Sequence, residues 1–325
     1  SDPSPDTRLV TVIDEPPAGP TGVIAGVANF PGALGSDWHT DVFLHNASAG
    51  TISLQLSFSP ANGGPGDPVA LSTAPDETLA LADVVDSLFG VTGSGAIQWR
   101  VVSGDAAGLL VSANTYNRVD AIRKYGQQIP GVRWSETAPA GTSVWVPALA
   151  SRYRTNLGFA TDETCSRVTI RGYDQTGLQV AQRVLNVQPL TWVQLNGIFR
   201  NVFPDLLDDP DGAALADSVH RFEVVGENGR IVAYTSIIDN QTSDGSYMLG
   251  QLPASELQYS WLPGVAKISG ANNSLWRSDV ILMHVGGVAD STNFGFFRSG
   301  SNPSGSIDTA SVALGADEST VEEDI

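Results

Sequence analysis

The sequence predicts an all-β protein made of tandem antiparallel β-sandwich modules with short helical turns, the third module incomplete. Three observations carry this. Residues 26–44, GVANFPGALGSDWHTDVFL, align without a gap to residues 264–282, GVAKISGANNSLWRSDVIL, at an offset of 238. Short runs of alternating apolar and polar residues recur between clusters of Gly, Pro, Asn and Asp, with 34 Gly and 19 Pro among 325 residues. No long helical period appears, which disfavours α/β architectures.

The elements follow in chain order. Residues 1–20 are a polar tail containing Arg8-Leu9-Val10-Thr11-Val12-Ile13-Asp14, which resembles Arg230-Ile231-Val232-Ala233-Tyr234 and makes Leu9, Val10, Val12 and Ile13 a candidate donor strand. Module one is expected over 21–136, module two over 137–256 and a partial module three over 257–325. Within module one, Thr78–Ala82 alternates and runs into Asp83-Val84-Val85-Asp86-Ser87-Leu88-Phe89-Gly90; within module two, Thr191–Leu195 runs into Asn196-Gly197-Ile198-Phe199. Each reads as a strand followed by a short helix, with Asp83 or Asn196 as N-cap and Gly90 as the stop. Two strands follow in each module, Ala96–Val102 with Leu109–Tyr116, and His220–Val225 with Arg230–Ile238. The turns between them, Ser103-Gly104-Asp105 and Gly226-Glu227-Asn228-Gly229, suit hairpins.

The third copy breaks off early. Residues 316–325 match 75–84, so Asp324 takes the place of Asp83, and about forty residues of module one have no counterpart after it. A half sandwich leaves strand edges and an apolar face open. Three readings follow: a fragment of a longer array, a degenerate cap closed on itself, or a module completed by another copy. In the last, residues 8–14 pair into a neighbour's module three, and a heterologous contact that does not close makes a head-to-tail homopolymer.

Composition bounds the partners. With 17 Lys+Arg against 35 Asp+Glu, the net charge of -18 argues against nucleic acid and anionic membranes. No run of about 18 apolar residues provides a membrane span. A single cysteine, Cys165, rules out an intrachain disulfide. Only two lysines, Lys124 and Lys267, accompany this acidity, a balance suited to secretion and equally to a GC-rich genome.

The best candidate for a repeated site is a motif of aromatic, His/Arg, Thr/Ser, Asp/Asn and aliphatic residues. It begins at Trp38, Tyr153 and Trp276 and carries Asp41, Asn156 and Asp279 at its fourth position. Its basic position is His39, Arg154 or Arg277, and Asn156 cannot act as a base, so the motif reads as structural: an aromatic at the sandwich rim and a polar side chain bonding a neighbouring loop. His39, Asp41 and His45 share a strand face but are not repeated as a set, and His220 and His284 read as ordinary core or solvated imidazoles. Cys165 reads as a buried thiol. Phosphate-binding, nucleophile-elbow and zinc-protease motifs are absent. The loop with Asp205, Asp208, Asp209 and Asp211 is the candidate calcium site, with a solvated acidic loop as its alternative, and His39, His45 and Asp41 could form a metal site only without a repeat in the other copies; no other cofactor is implied. Trp99 and Trp192 read as core, while Trp134, Trp145, Tyr259 and Trp261 fall at expected joins between modules.

The stretches Gly26–Asn46, Pro147–Leu157 and Pro263–Leu282, with Ala233–Asn240 near a module's end, resemble modules of poorly characterised secreted bacterial proteins built of tandem β-sandwiches. That resemblance implies a secreted, bacterial, β-rich protein and brings no catalytic residues. The expectation is therefore a non-enzymatic extracellular structural protein, a filament or surface-matrix subunit. The alternative is a secreted adhesin or carbohydrate-binding protein with extracellular polysaccharide as partner, and a secreted hydrolase is the third class.

Overall fold

The computed structural model describes residues 20–32, 35–120, 124–150, 153–174, 176–203, 219–241, 244–253, 262, 264–270, 275–296 and 308–322. The chain is all-β. Module one runs β1 (Gly22–Pro31), β2 (Asp37–Asn46), β3 (Ile52–Pro60), β4 (Val69–Thr73), β5 (Thr78–Leu81), α1 (Val84–Ser87), β6 (Gly93–Ser103), β7 (Leu109–Arg118), β8 (Lys124–Pro130) and β9 (Val132–Arg133). Its front sheet has the order β4-β3-β6-β1-β9 and its back sheet the order β5-β2-β7-β8. The two are joined at one corner, where Phe30 pairs with Trp38 and Pro31 with Asp37.

Alternation places Ile24, Val27, Leu54, Leu56, Ile97 and Trp99 of the front sheet against Val42, Leu44, Ala113 and Ile129 of the back sheet. Fully burying each large side chain of this set is worth about 1.5–3 kcal/mol, which is what holds the two layers face to face.

Module two repeats the plan with β10 (Ser143–Leu149), β11 (Tyr153–Thr161), β12 (Arg167–Tyr173), β13 (Gln179–Asn186), β14 (Trp192–Leu195), α2 (Ile198–Asn201), β15 (Val219–Gly226), β16 (Ile231–Asp239) and β17 (Gly245–Leu249). Its sheets read β13-β12-β15-β10 and β14-β11-β16-β17, position for position the orders of module one. In both modules the last strand crosses from back sheet to front sheet at a glycine. Gly131 precedes β9, and Gly250 precedes Gln251, whose backbone pairs with Trp145. A Cβ on Gly131 would stand 2.6 Å from Val111 Cβ, and one on Gly250 would stand 2.8 Å from the Ala233 carbonyl oxygen. No other residue fits either corner.

Two sequence expectations change here. The strands at positions six and seven do not form hairpins: β6 pairs with β1 and β3, whereas β7 pairs with β2 and β8. The turns at 103–105 and 226–229 therefore arch from one sheet to the other. The helix cap also differs. Asp83 and Gly197, rather than Asp83 and Asn196, are the equivalent residues, both left-handed (φ 47° and 57°); the Asp83 side chain does not cap its helix, and Gly197 has none to do so.

Module three contains β18 (Ile268–Ser269), β19 (Leu275–Trp276), β20 (Val280–Met283), β21 (Asp290–Phe296), β22 (Asp308–Leu314) and β23 (Ser319–Glu322). Its ladders copy module one pair by pair. Ile268↔Trp276 reproduces Phe30↔Trp38, Asp290↔Leu314 reproduces Ile52↔Thr73, and Met283↔Ser319 reproduces His45↔Thr78. Even the left-handed turn before the fifth strand recurs, at Asp76, Leu190 and Asp317 with φ of 57°, 58° and 57°.

Candidate assembly site: open strand positions and stacked modules

The repeated motif builds the sandwich corner. Its third residue is the staple: the hydroxyl of Thr40 accepts from the Ala28 N–H (2.8 Å), that of Thr155 from the Leu149 N–H (3.2 Å) and that of Ser278 from the Ala266 N–H (2.9 Å). This role was legible only in outline, because Thr or Ser holds the position in all three copies.

The fourth residue ties the second strand to the short helix. Asp41 Oδ1 accepts from the Asp83 N–H at 2.8 Å, and Asn156 Oδ1 from the Gly197 N–H at 2.9 Å. An amide does this as well as a carboxylate. Asp279 holds the same place on the chain, and its counterpart of Asp83, Asp324, lies outside the described residues.

The aromatic position differs between copies. Trp38 is buried with Phe30, Ala28 and Ile238 of module two, Tyr153 is half-buried, and Trp276 is 61 % exposed beside Ile268 (61 %) and Leu275 (59 %). What covers the corner of module one is the next module.

Modules one and two stack front face to back face. Val23, Ala25, Ala96 and Trp134 of module one meet Ala160, Trp192, Val232 and Tyr234 of module two in one apolar cluster. Trp192 thus belongs to this junction rather than to the core of module two. Its Nε1–H donates to the Tyr234 hydroxyl (3.0 Å), which donates to Gln194 Oε1 (2.8 Å) and stacks on Tyr247 at 4.6 Å. Burial pushes both tyrosine hydroxyls well up, so they stay neutral. The Tyr234 ring lies over Gly158, where any Cβ would collide with it.

Modules two and three meet through the same pair of faces. Arg221 on β15, 1 % exposed, donates through Nη1 to the carbonyl oxygens of His284 (2.6 Å) and Asp317. The guanidinium lies 5.2 Å from the ring centroids of Trp145 and Tyr173. Beside it, Glu223 accepts from Ser143, from Arg171 Nη1 (2.7 Å) and from the Tyr173 hydroxyl (2.9 Å). Burial alone would raise the Glu223 carboxyl, but these donors outweigh it and hold it below its usual range. The Tyr173 phenol is pushed up to about 12 by burial and by the bond to Glu223.

Positions six and seven of module three hold no strand among the described residues. In modules one and two, position six lies between the third and first strands, and position seven lies beside the second. The matching edges of β21 and β20 therefore have no ladder partner among the described residues. The candidate donor residues Leu9, Val10, Val12 and Ile13, and the candidate calcium ligands Asp205, Asp208, Asp209 and Asp211, lie outside the described residues. So do Tyr259 and Trp261.

The remaining candidates are engaged separately. His39 lies between Asp37 (3.0 Å) and Asp83 (2.9 Å), and His45 Nδ1 is 2.9 Å from Thr78 Oγ1. Burial lowers the pKa of His220, packed on Phe199 at 5.0 Å. Cys165 is buried, and burial pushes its thiol up to about 11, which leaves little thiolate near neutrality. Among the described residues, no three His, Cys, Asp or Glu side chains gather as metal ligands, and no helix is long and apolar enough to cross a membrane. Against family models, curated proteins and solved structures, the chain finds no match.

Proposed function

We propose that this chain is a structural subunit of a bacterial extracellular filament or surface matrix, assembling head-to-tail by strand complementation of module three. The supporting observation is the pairwise identity of register between modules one and three, with positions six and seven of module three empty among the described residues. The donor segment is Arg8–Asp14 of a second copy. It resembles the start of β16, a position-seven strand, and so belongs beside β20, where Leu9, Thr11 and Ile13 would face inward as Ile231, Ala233 and Thr235 do on β16. Position six, in the other sheet, needs a further segment of the neighbouring copy. The exposed Ile268, Leu275 and Trp276 offer that copy the corner which Ile238 covers on module one.

Charge sets the conditions. Subunits of net charge -18 repel one another, and the Debye length shrinks from roughly 30 Å at 0.01 M to about 8 Å at 0.15 M salt, so assembly belongs to moderate or high ionic strength. The test is electron microscopy with light scattering on the chain and on a variant lacking residues 1–14. Filaments in 0.15 M salt and folded monomers after truncation are expected; filaments that survive truncation, or a parent that stays monomeric, contradict the reading.

A further inference from the structure

A cleft of about 300 Å³ opens at the first junction, lined from module one by Phe30, Trp38 and Gln127 and from module two by Arg154, Trp192 and Asn201, among others. Among the described residues, its lining contains no Asp or Glu. In a chain with twice as many acidic as basic residues, this is a local exception to the composition. Among the described residues, the Arg154 guanidinium has neither a hydrogen bond nor an ion pair, and burial lowers its pKa.

Module one shows what the same motif position does when it is satisfied. His39, the equivalent of Arg154, is held between the carboxylates of Asp37 and Asp83. In module two the Asp83 position is Gly197 and the Asp37 position is Arg152 in sequence, so both counter-ions are gone and the basic group is longer. A half-buried cation without its anions is left to water or to an anion from outside, and the anion is favoured where the site is partly desolvated.

We infer that this intermodule cleft binds the carboxylate of an acidic sugar, a uronic acid residue. One guanidinium balances one negative charge and matches a carboxylate with two parallel N–H donors. The rest of the lining suits a sugar ring. Asn156, Gln127 and Asn201 each spend one side-chain atom on internal bonds, which among the described residues leaves the Nδ2 of Asn156, the Nε2 of Gln127 and the Oδ1 of Asn201 for ligand hydroxyls. Trp38 and Phe30 supply apolar faces. Cleft size, and a single charge among the described lining residues, favour one sugar residue over a polyanion, which the net charge would repel.

Calorimetry on the intact chain tests this with galacturonate, trigalacturonate, galactose and acetate as probes. Galacturonate is expected to bind, galactose and acetate at least about tenfold more weakly, as loss of a charge-assisted hydrogen bond or of the ring contacts implies. Tighter binding of trigalacturonate would identify a polymer end as the source; equal affinity per site would identify the free sugar. Arg154→Gln should weaken galacturonate binding about tenfold or more. Asn201→Asp, which puts a carboxylate into the same cleft at an exposed side chain, should do the same with Arg154 intact. The proposal is overturned if the parent binds no uronate, if acetate or galactose equals galacturonate, or if Arg154→Gln and Asn201→Asp, both with the parent's circular dichroism, bind as the parent does.

Discussion

The two junctions join equivalent faces by different chemistry. At the first, the back sheet of module two presents Trp192, Tyr234 and Tyr247 to Val23, Ala25, Ala96 and Trp134 of module one, with Gly158 making room for the Tyr234 ring. At the second, a single buried arginine reaches from β15 into the turn before β23. The geometry of the stack is common to both because it comes from repeated strand order and register. The contact chemistry varies because it rests on the alternate, outward-facing side chains, which the module cores do not constrain. The back face of module one, which no other module covers among the described residues, makes the same point. At the positions of Gly158, Trp192, Tyr234 and Tyr247 it carries Phe43, Thr78, Ser112 and Gln128, mostly polar as a solvated sheet face should be.

The largest effect should come from the aromatic junction. Trp192→Ala removes a buried indole and its hydrogen bond to Tyr234, with an expected cost of about 3–5 kcal/mol in chemical denaturation. Modules one and two should then unfold in separate transitions. A single transition of unchanged midpoint would mean that the junction does not couple them.

A smaller effect is expected at the second junction. Arg221→Met keeps much of the side-chain bulk but leaves the carbonyls of His284 and Asp317 without their donor. The cost should be about 1–3 kcal/mol, confined to module three, and visible as faster amide exchange in β20 and β23 with β1–β17 unchanged. Loss of protection throughout module two would show that Arg221 belongs to that module's own stability and not to a junction.

Much of this architecture was legible from residues alone. The offset of 238 between Gly26–Leu44 and Gly264–Leu282 and the strand-helix units at 78–90 and 191–203 correspond to observed elements. The crossing of β6 to β7 was not legible. Ser103-Gly104-Asp105 offers the same local turn chemistry whether the next strand returns beside its predecessor or arches to the other sheet, and only the packed core decides. The placement of Trp192 was hidden for a related reason: alternation marks a buried face but not what buries it. The Arg154 cleft draws its walls from two modules, and no local pattern announces such a site.

Disulfide trapping tests the strand complementation most directly. If residues 8–14 take the place that β16 holds in module two, the register of β11 with β16 sets Thr11 opposite Leu282. The native Cys165 is buried, so it does not compete. The double variant Thr11→Cys, Leu282→Cys should form a ladder of covalent oligomers on mild oxidation, while Val10→Cys, Leu282→Cys, one residue out of register and facing the opposite side, should form few. Equal cross-linking by the two pairs, or purely intramolecular disulfides within monomers, would contradict head-to-tail complementation of module three.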